Sequence, residues 1–435
     1  MKLSEYCKIY RSEQDPDNSC VLFSTKNAAK IRVPASIIRD VESQHLSDDE
    51  QTTLLKLGFL VADVEQERAE MRALMEELDA INNSFYAKVV LNLDCNLACK
   101  YCFEGTRKGQ FYMTEETVDR LIGFIKNGSR QHKDEISITY YGGEPLLSSG
   151  LIVDMSRRLK VIADSERLKY TFSLVTNGTL LTPDLACKLK PLGLSHACVT
   201  IDGLSDIHNT YRPFRSGKGS FDTILGNVKD VCNIIPVQIG GNYTKANFRR
   251  FPLLLDYLMA EGLTPERVGG VQFYPVTQES AEFAVSDFRE GCISLGEPWL
   301  VEAWLYLREE ILRRGYRTTK VLPMPCVMEI KDMFVINYNG DIYKCPGLIG
   351  REQYCVGNLK SGVNDYHQSH NLDNWKNEEC LACSYLPICF GGCRYMKLVR
   401  DGNMNGIDCR RPYFDAVLET LVLQDIKYAN QIQSK

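Results

Sequence analysis

The stretch LNLDCNLACKYCFEG, residues 91–105, sets Cys95, Cys99 and Cys102 at CxxxCxxC spacing. Packing gives no reason for so dense a set of thiols. Thiolates at such spacing bind zinc or an iron–sulfur cluster. Structural zinc takes four ligands, usually in paired knuckles, and no nearby histidine supplies a fourth here. A cluster held by three protein thiolates leaves one iron open to a substrate or cofactor. An iron–sulfur site is the favoured reading, with zinc or a plain cysteine-rich loop as alternatives. A second group lies toward the C-terminus. Cys326 is followed by thirteen residues, Gly340, four residues and Cys345; CLACSYLPICFGGC then spaces Cys380, Cys383, Cys389 and Cys393 as C-x2-C-x5-C-x3-C, and Cys409 ends the series.

Seventeen cysteines in 435 residues would suit a disulfide framework only in an oxidising compartment. The opening residues, MKLSEYCKIYRSEQDPDNS, hold no long apolar run, so no secretory signal is expected, and a reducing, cytoplasmic setting follows. No apolar run reaches the roughly 18 residues that a membrane span needs. Hydrophobic residues make up 44% and charged residues 25%, which is globular; the net charge of −5 gives no electrostatic reason to expect nucleic acid.

The elements that must hold these cysteines alternate between strand and helix from 85 to 275. KVVLNL, ISITYYGG, YTFSLVTNG, HACVTIDG, IPVQIGG and GGVQFYPV read as six strands. Amphipathic segments such as TEETVDRLIGFIK and SFDTILGNVKDVC lie between them, and TPDLACKLKPLG carries Thr182 as N-cap with Pro183 in the first turn. Six such repeats predict an α/β fold, a partial (β/α)6 TIM-like barrel with chemistry at the C-terminal strand ends. The first cysteines follow the first strand, where that rule puts an active site. Residues 1–80 read as a smaller unit. It has two strands joined at Lys26-Asn27, a helix with Ile37, Ile38 and Val41 on one face, a second helix capped by Ser47 and Glu50, a short strand FLV and a long polar helix from Val64 to Ile81. Residues 276–322 bridge to a cysteine- and glycine-rich segment, 323–412, whose sparse core calls for a metal staple. A final helix occupies 413–435.

CxxxCxxC with an aromatic, Tyr101, before its last cysteine resembles the radical S-adenosylmethionine (SAM) superfamily. The resemblance implies a [4Fe–4S] cluster on Cys95, Cys99 and Cys102 whose open iron chelates SAM, and reductive cleavage of SAM to a 5′-deoxyadenosyl radical that abstracts hydrogen. YGGEP, with Gly142, Gly143, Glu144 and Pro145, resembles the motif that meets the methionine amino group. Thr176 and Asn177 in TNGTLL, and Thr200, Asp202 and Arg212 in VTIDG…H…R, resemble stretches around the SAM carboxylate and ribose. His208 in the same stretch reads as structural.

The C-terminal series resembles the SPASM extension of these enzymes. By that resemblance Cys380, Cys383, Cys389 and Cys409 hold one auxiliary [4Fe–4S] cluster, and Cys326, Cys345 and Cys393 hold another, for three clusters in all. The second set is one thiolate short. Either Cys355 closes it or it stays open to a substrate thiolate. SPASM enzymes modify peptides or proteins. In sulfatase maturases an Asp typically follows the G-x4-C cysteine, and Pro346 stands there instead, which counts against formylglycine formation. The order of elements in 1–80 is compatible with a winged-helix-like element that binds a leader peptide, and the chain resembles geopeptide-type peptide maturases in overall style. The expected reaction is thioether crosslinking of a precursor peptide, with carbon–carbon or carbon–oxygen crosslinking as runner-up and a flavodoxin or ferredoxin as reductant. An iron–sulfur electron carrier is the non-enzymatic alternative, which GGEP and the SAM-binding set disfavour.

Overall fold

The computed structural model describes residues 1–11, 18–102, 104–129, 133–276 and 297–429. Residues 277–296 of the bridging segment and 430–435 of the final helix lie outside the described residues. The chain forms two compact units that do not follow chain order. One contains 1–81, 320–331 and 371–427; the other contains 82–319, 332–370 and 428–435.

In the second unit all six expected strands form: β1 (Ser84–Val90), β2 (Glu135–Tyr141), β3 (Lys169–Thr176), β4 (Leu194–Thr200), β5 (Val237–Tyr243) and β6 (Val268–Pro275). They pair in sequential order and all in parallel. Alternation sorts their side chains. Phe85, Ala87 and Val89 of β1, Ile136, Ile138 and Tyr140 of β2, and Phe172 and Leu174 of β3 are buried in the main core. The alternate positions are mostly polar. There Tyr86, Thr139 and Ser173 hydroxyls form a chain across three strands, with oxygens 2.9 Å apart at each step. A parallel strand buried on both faces reads as continuously apolar, so this polar face is the signature of a sheet curling around a site.

Helices Glu115–Ser129, Pro183–Leu189 and Phe221–Val231 appear where the periodicity places them, and the Thr182 hydroxyl caps the second by accepting from Leu185 N. The barrel sheet is open and continues past β1. β7 (Met333–Ile336) pairs with β1 in parallel, followed antiparallel by β8 (Asp341–Tyr343), β9 (Gly357–Asn358) and β10 (Gly362–Val363). Gly340, the glycine between Cys326 and Cys345, turns β7 into β8 at φ +88°, a conformation that side chains disfavour.

In the first unit, strands Cys7–Arg11, Ser19–Ser24 and Lys30–Pro34 form an antiparallel sheet, backed by helices Ser36–Glu42 and Asp48–Lys56. Ile37, Ile38 and Val41 are buried as expected, and Ser47 and Glu50 make the expected reciprocal cap. The helix Val64–Ile81 puts Met71 and Met75 into one cluster with Tyr6, Trp375, Leu381, Leu386 and Phe390. The Tyr6 hydroxyl donates to Leu381 O at 2.8 Å and Thr25 Oγ1 donates to Ser384 O at 2.7 Å. Residues 1–81 therefore share a core with the cysteine-rich tail. The 323–412 segment is divided, since 332–370 belongs to the barrel unit.

Candidate active site

The chain leaving β1 is fixed from two sides before it reaches the cysteines. On one side it zips to the loop after β2: Gly143 N donates to Asn92 O at 3.0 Å and Glu144 N donates to Asp94 O at 2.7 Å. A Cβ on Gly142 would stand 2.5 Å from Asn92 O, and one on Gly143 would stand 2.2 Å from Asp94 O. Both glycines are thus required by backbone against backbone. On the other side Ala98 N donates to Pro213 O, Lys100 N to Tyr211 O and Arg215 N to Asn96 O. The Asp94 carboxylate accepts from Cys95 N at 2.9 Å and from Arg215 at 2.6 Å, so the residue before the first cysteine is locked.

Cys95, Cys99 and Cys102 line one cavity of 380 Å³ at the C-terminal strand ends. Leu97 N and Asn177 Nδ2 donate to Cys95 Sγ at 3.4 and 3.7 Å. Burial pushes the Cys95 thiol up to about 11. A thiolate in such a place needs positive charge, which a bound metal supplies on ligation. Lys108 faces all three thiols; burial pulls its ammonium down, but the thiols together hold it above its usual range. Among the described residues no three or more His, Cys, Asp or Glu side chains converge on a point where one metal ion could sit.

The cavity also fits a polar organic cofactor. Its volume falls in the range of small-molecule sites. Gly142, Gly143, Thr176, Asn177 and Thr200 line it, with Tyr101 and Arg212. Two buried polar atoms of its wall, Glu104 Oε2 and Arg212 Nε, have no hydrogen-bond partner, as expected of groups that wait for a ligand.

Three expected contacts, Glu144, Pro145 and Asp202, do not line the cavity. The Glu144 carboxylate accepts from Thr176 Oγ1 at 2.7 Å, Asn177 N at 2.8 Å and Leu146 N at 3.0 Å. Fully buried, it ties the end of β2 to the end of β3, and the backbone of the two glycines is what faces the cavity. Pro145 starts the short turn that follows. Asp202 accepts from the Tyr101 hydroxyl and from Asn242 N at 2.7 Å, while Arg212 donates to that hydroxyl at 2.8 Å. It anchors the ring of Tyr101 from behind.

Sequence reasoning missed Glu104, Lys108, Asn242, Tyr274 and Cys198, all of which line the cavity. Glu104 and Lys108 lie close after Cys102, and burial pushes the Glu104 carboxyl up to about 7. The other three sit at alternate positions of β4, β5 and β6 and were findable from strand parity.

His208 is structural, as its setting in the sequence suggested. Its Nδ1 accepts from Asp202 N at 3.1 Å, and its Nε2 is 3.0 Å from Ser220 Oγ, which donates to Arg212 O. Burial drives its pKa down to about 3. The unfolded chain takes a proton near pH 6.5 that the native state refuses, so stability is complete above about pH 6.5 and falls as pH drops toward about 3. The slope is at most about 1.4 kcal/mol per pH unit. In His208→Asn the amide oxygen still accepts from Asp202 N, and denaturation midpoints across this window should vary less with pH than those of the wild type.

The Radical SAM superfamily model matches residues 89–245, which hold the cysteine trio, both glycines and the Tyr101 anchor. Residues 89–245 are a radical SAM domain, and the chain is an enzyme. Radical SAM proteins carry a [4Fe–4S] cluster and bind SAM, in keeping with the thiols and the cavity. The chain is 23% identical over 377 residues to the radical SAM cyclopropyl synthase TigE of Paramaledivibacter caminithermalis, covering 77% of this chain and 74% of that relative. Among solved structures it resembles native anSMEcpe with bound AdoMet and Kp18Cys peptide, with TM-score 0.62 and 19% identity over 80% of this chain and 100% of that one. It also resembles Streptococcus suis SuiB bound to precursor peptide SuiA, with TM-score 0.53 and 14% identity over 94% and 98%. At these identities the structures share the fold. No helix among the described residues is long and apolar enough to cross a membrane.

Several tail cysteines of the first unit lie within electrostatic reach of one another. Cys380 neighbours Cys383 and Cys409, and Cys389 neighbours Cys383 and Cys380. The tight turn Gly391-Gly392 explains how: a Cβ on Gly392 would stand 2.0 Å from Asp408 O, and Asp408 N donates to Gly391 O at 2.9 Å, which brings the chain before Cys409 against the turn. Cys326 and Cys393 are neighbours in the same unit; Cys345 and Cys355 belong to the barrel unit.

Proposed function

We propose that this radical SAM enzyme matures a ribosomally made precursor peptide and installs a thioether crosslink. When bound, the reduced cluster and SAM supply a 5′-deoxyadenosyl radical that removes a hydrogen atom from the peptide. Cys95, Cys99 and Cys102 would hold that cluster. Gly142 and Gly143 would offer backbone to the methionine end, with Thr176, Asn177, Thr200 and Arg212 around the remaining polar groups. Tyr101, braced by Asp202, would give one wall of the cavity. Glu144 and Pro145 would act by shaping the glycine turn. Cys380, Cys383, Cys389 and Cys409 would hold one auxiliary [4Fe–4S] cluster, and Cys326, Cys345 and Cys393 three corners of another. A flavodoxin or ferredoxin would be the electron source.

The observation that carries the peptide reading is the strand–helix assembly of residues 1–61, whose outer strands Cys7–Arg11 and Lys30–Pro34 each pair on one side only among the described residues. Such an edge accepts an added strand from a leader peptide. The likeness to SuiB, whose structure holds a precursor peptide, covers 94% of this chain and supports the reading. Deleting 1–81 is a poor test, because it strips Tyr6, Met71 and Met75 from the Trp375 core. Hydrogen exchange on the full chain is the better one. Added leader peptide should slow exchange in one of the two outer strands; tight binding with no protection anywhere in 1–61 would make the assembly a structural cap.

The thioether follows from the missing fourth ligand. Cys355 is half-buried, and its thiol donates to Gly357 O at 3.0 Å, a use that requires the proton a ligand must lose. Cys355→Ala is therefore expected to keep full iron content and activity, which leaves an iron free for a substrate cysteine. Loss of one cluster in that variant would make Cys355 the ligand and remove the argument for direct thiolate binding. The likeness to a cyclopropyl synthase favours carbon–carbon bond formation as the second reading. Alkylation of the reduced product separates the two, since a thioether leaves the cysteine unreactive.

A further inference from the structure

Beside Cys326 and Cys393 lies a guanidinium with spare donors. Arg394 is 1% exposed. Its Nε donates to Asn371 O at 2.9 Å, and its NH2 donates to the Glu329 carboxylate and to Asn374 Oδ1 at 3.3 Å. Three of its five N–H groups are thereby used. The remaining two, on NH1, have no partner although the atom is buried. Leaving charged donors unpaired in the interior is costly, and native proteins rarely do so.

The surroundings indicate what NH1 serves. Arg394 directly follows Cys393, and the helix Arg394–Asp401 takes Cys393 as its N-cap. Burial pushes the Cys326 thiol up, and the neighbouring guanidinium is the largest influence drawing it back. Glu329, three residues after Cys326, is 7% exposed and receives the same guanidinium. Its backbone N–H donates to Cys326 O at 2.9 Å. The ion pair thus fixes the planar fork beside Cys326, one residue along the chain from Cys393, with NH1 as its free edge. Sulfur in a thiolate or a bridging sulfide accepts such hydrogen bonds, and donors to cluster sulfurs are among the factors that set its reduction potential.

We propose that Arg394 donates hydrogen bonds through NH1 to the sulfurs of the auxiliary cluster held by Cys326 and Cys393, and so holds that cluster at a higher reduction potential than it would have without this donor. This rests on the reading of an auxiliary cluster at those cysteines. The role is one a lysine could not fill equally, because only the planar fork can serve Glu329 and two sulfurs at once.

The test is an EPR-monitored redox titration of reconstituted full-length protein in a Cys95→Ala, Cys99→Ala, Cys102→Ala background, which silences the SAM-binding cluster. In that background about eight irons should remain, as two [4Fe–4S] clusters require. Fewer in the parent would remove the auxiliary-cluster reading itself, and this proposal with it. Adding Arg394→Gln with Glu329→Gln deletes the ion pair without stranding a buried carboxylate. One of the two midpoints should move negative and the other stay fixed. Two unmoved midpoints at full iron would overturn the proposal. If the double substitution costs a cluster, Arg394→Lys decides, since it keeps the charge beside Glu329 but lacks the fork: a negative shift of one midpoint supports the role, and no shift overturns it.

Discussion

Replacing Cys95, Cys99 and Cys102 together by alanine is expected to abolish SAM cleavage while about eight irons stay on the protein. The three thiols are the cysteines that the cavity brings together beside Gly142, Gly143 and Asn177, with Cys198 farther along β4. Their loss removes the three proposed cluster ligands beside the glycine turn. The fold should survive, because the loop carrying them is held by main-chain bonds to 211–215 and to the turn after β2 rather than by the thiols. Two measurements on one sample decide it: 5′-deoxyadenosine formed under reducing conditions, and iron per chain. Residual cleavage would move the catalytic cluster elsewhere. Loss of all iron would mean that the tail cysteines hold none.

Gly143→Ala should cost nearly as much without touching a ligand or a charge. The new methyl would stand 2.2 Å from Asp94 O and 2.7 Å from the Asp94 carbonyl carbon. Neither is the end of a flexible side chain, so one backbone must move. The bond from Glu144 N to Asp94 O breaks first, and Asp94 precedes Cys95. Overpacking of this kind costs about 1–3 kcal/mol of stability, which a domain of this size survives. The larger effect falls on positioning. A shift on the order of 1 Å in a catalytic element can lower a rate about 100-fold, so SAM cleavage should fall by that order, with weaker SAM binding by equilibrium dialysis. Wild-type binding and cleavage in a folded Gly143→Ala variant would show that this close approach does not set the site.

The sequence exposes these glycines but not the reason for them. Gly142 and Gly143 resemble a ligand motif, yet the atoms that forbid a side chain are carbonyls of Asn92 and Asp94, about fifty residues earlier. Glu144 illustrates the same limit. Its type and place suggest a ligand contact, whereas its donors come from Thr176 and Asn177 on the next strand. Local periodicity does report local structure faithfully. The second to sixth parallel strands, the Ser47–Glu50 cap and the helix Val64–Ile81 lie where spacing and capping residues put them, while the first strand runs from Ser84 to Val90, ahead of the expected KVVLNL. The partnership of Tyr6, Met71 and Met75 with Trp375 and Phe390 left no mark, because nothing in an amphipathic helix says which distant segment it will cover. Cysteine spacing is legible for a different reason: ligand geometry is set by the metal, so the intervals persist whatever surrounds them.

That partnership has a consequence for how the chain comes off the ribosome. Residues 1–81 emerge first, but the apolar face of Val64–Ile81 meets its partners only when 371–427 follow. At roughly 5–20 residues per second the wait is about 15–60 s. The barrel strands are complete by Pro275 and can pair in the meantime. Met71 and Met75 stay uncovered in the nascent chain for that interval, a period suited to chaperone binding. The tail cysteines reach their places only after all six barrel strands have been made. Iron delivery to them thus follows completion of the barrel strands, and a chain stalled before residue 371 would carry an uncovered apolar face on this helix.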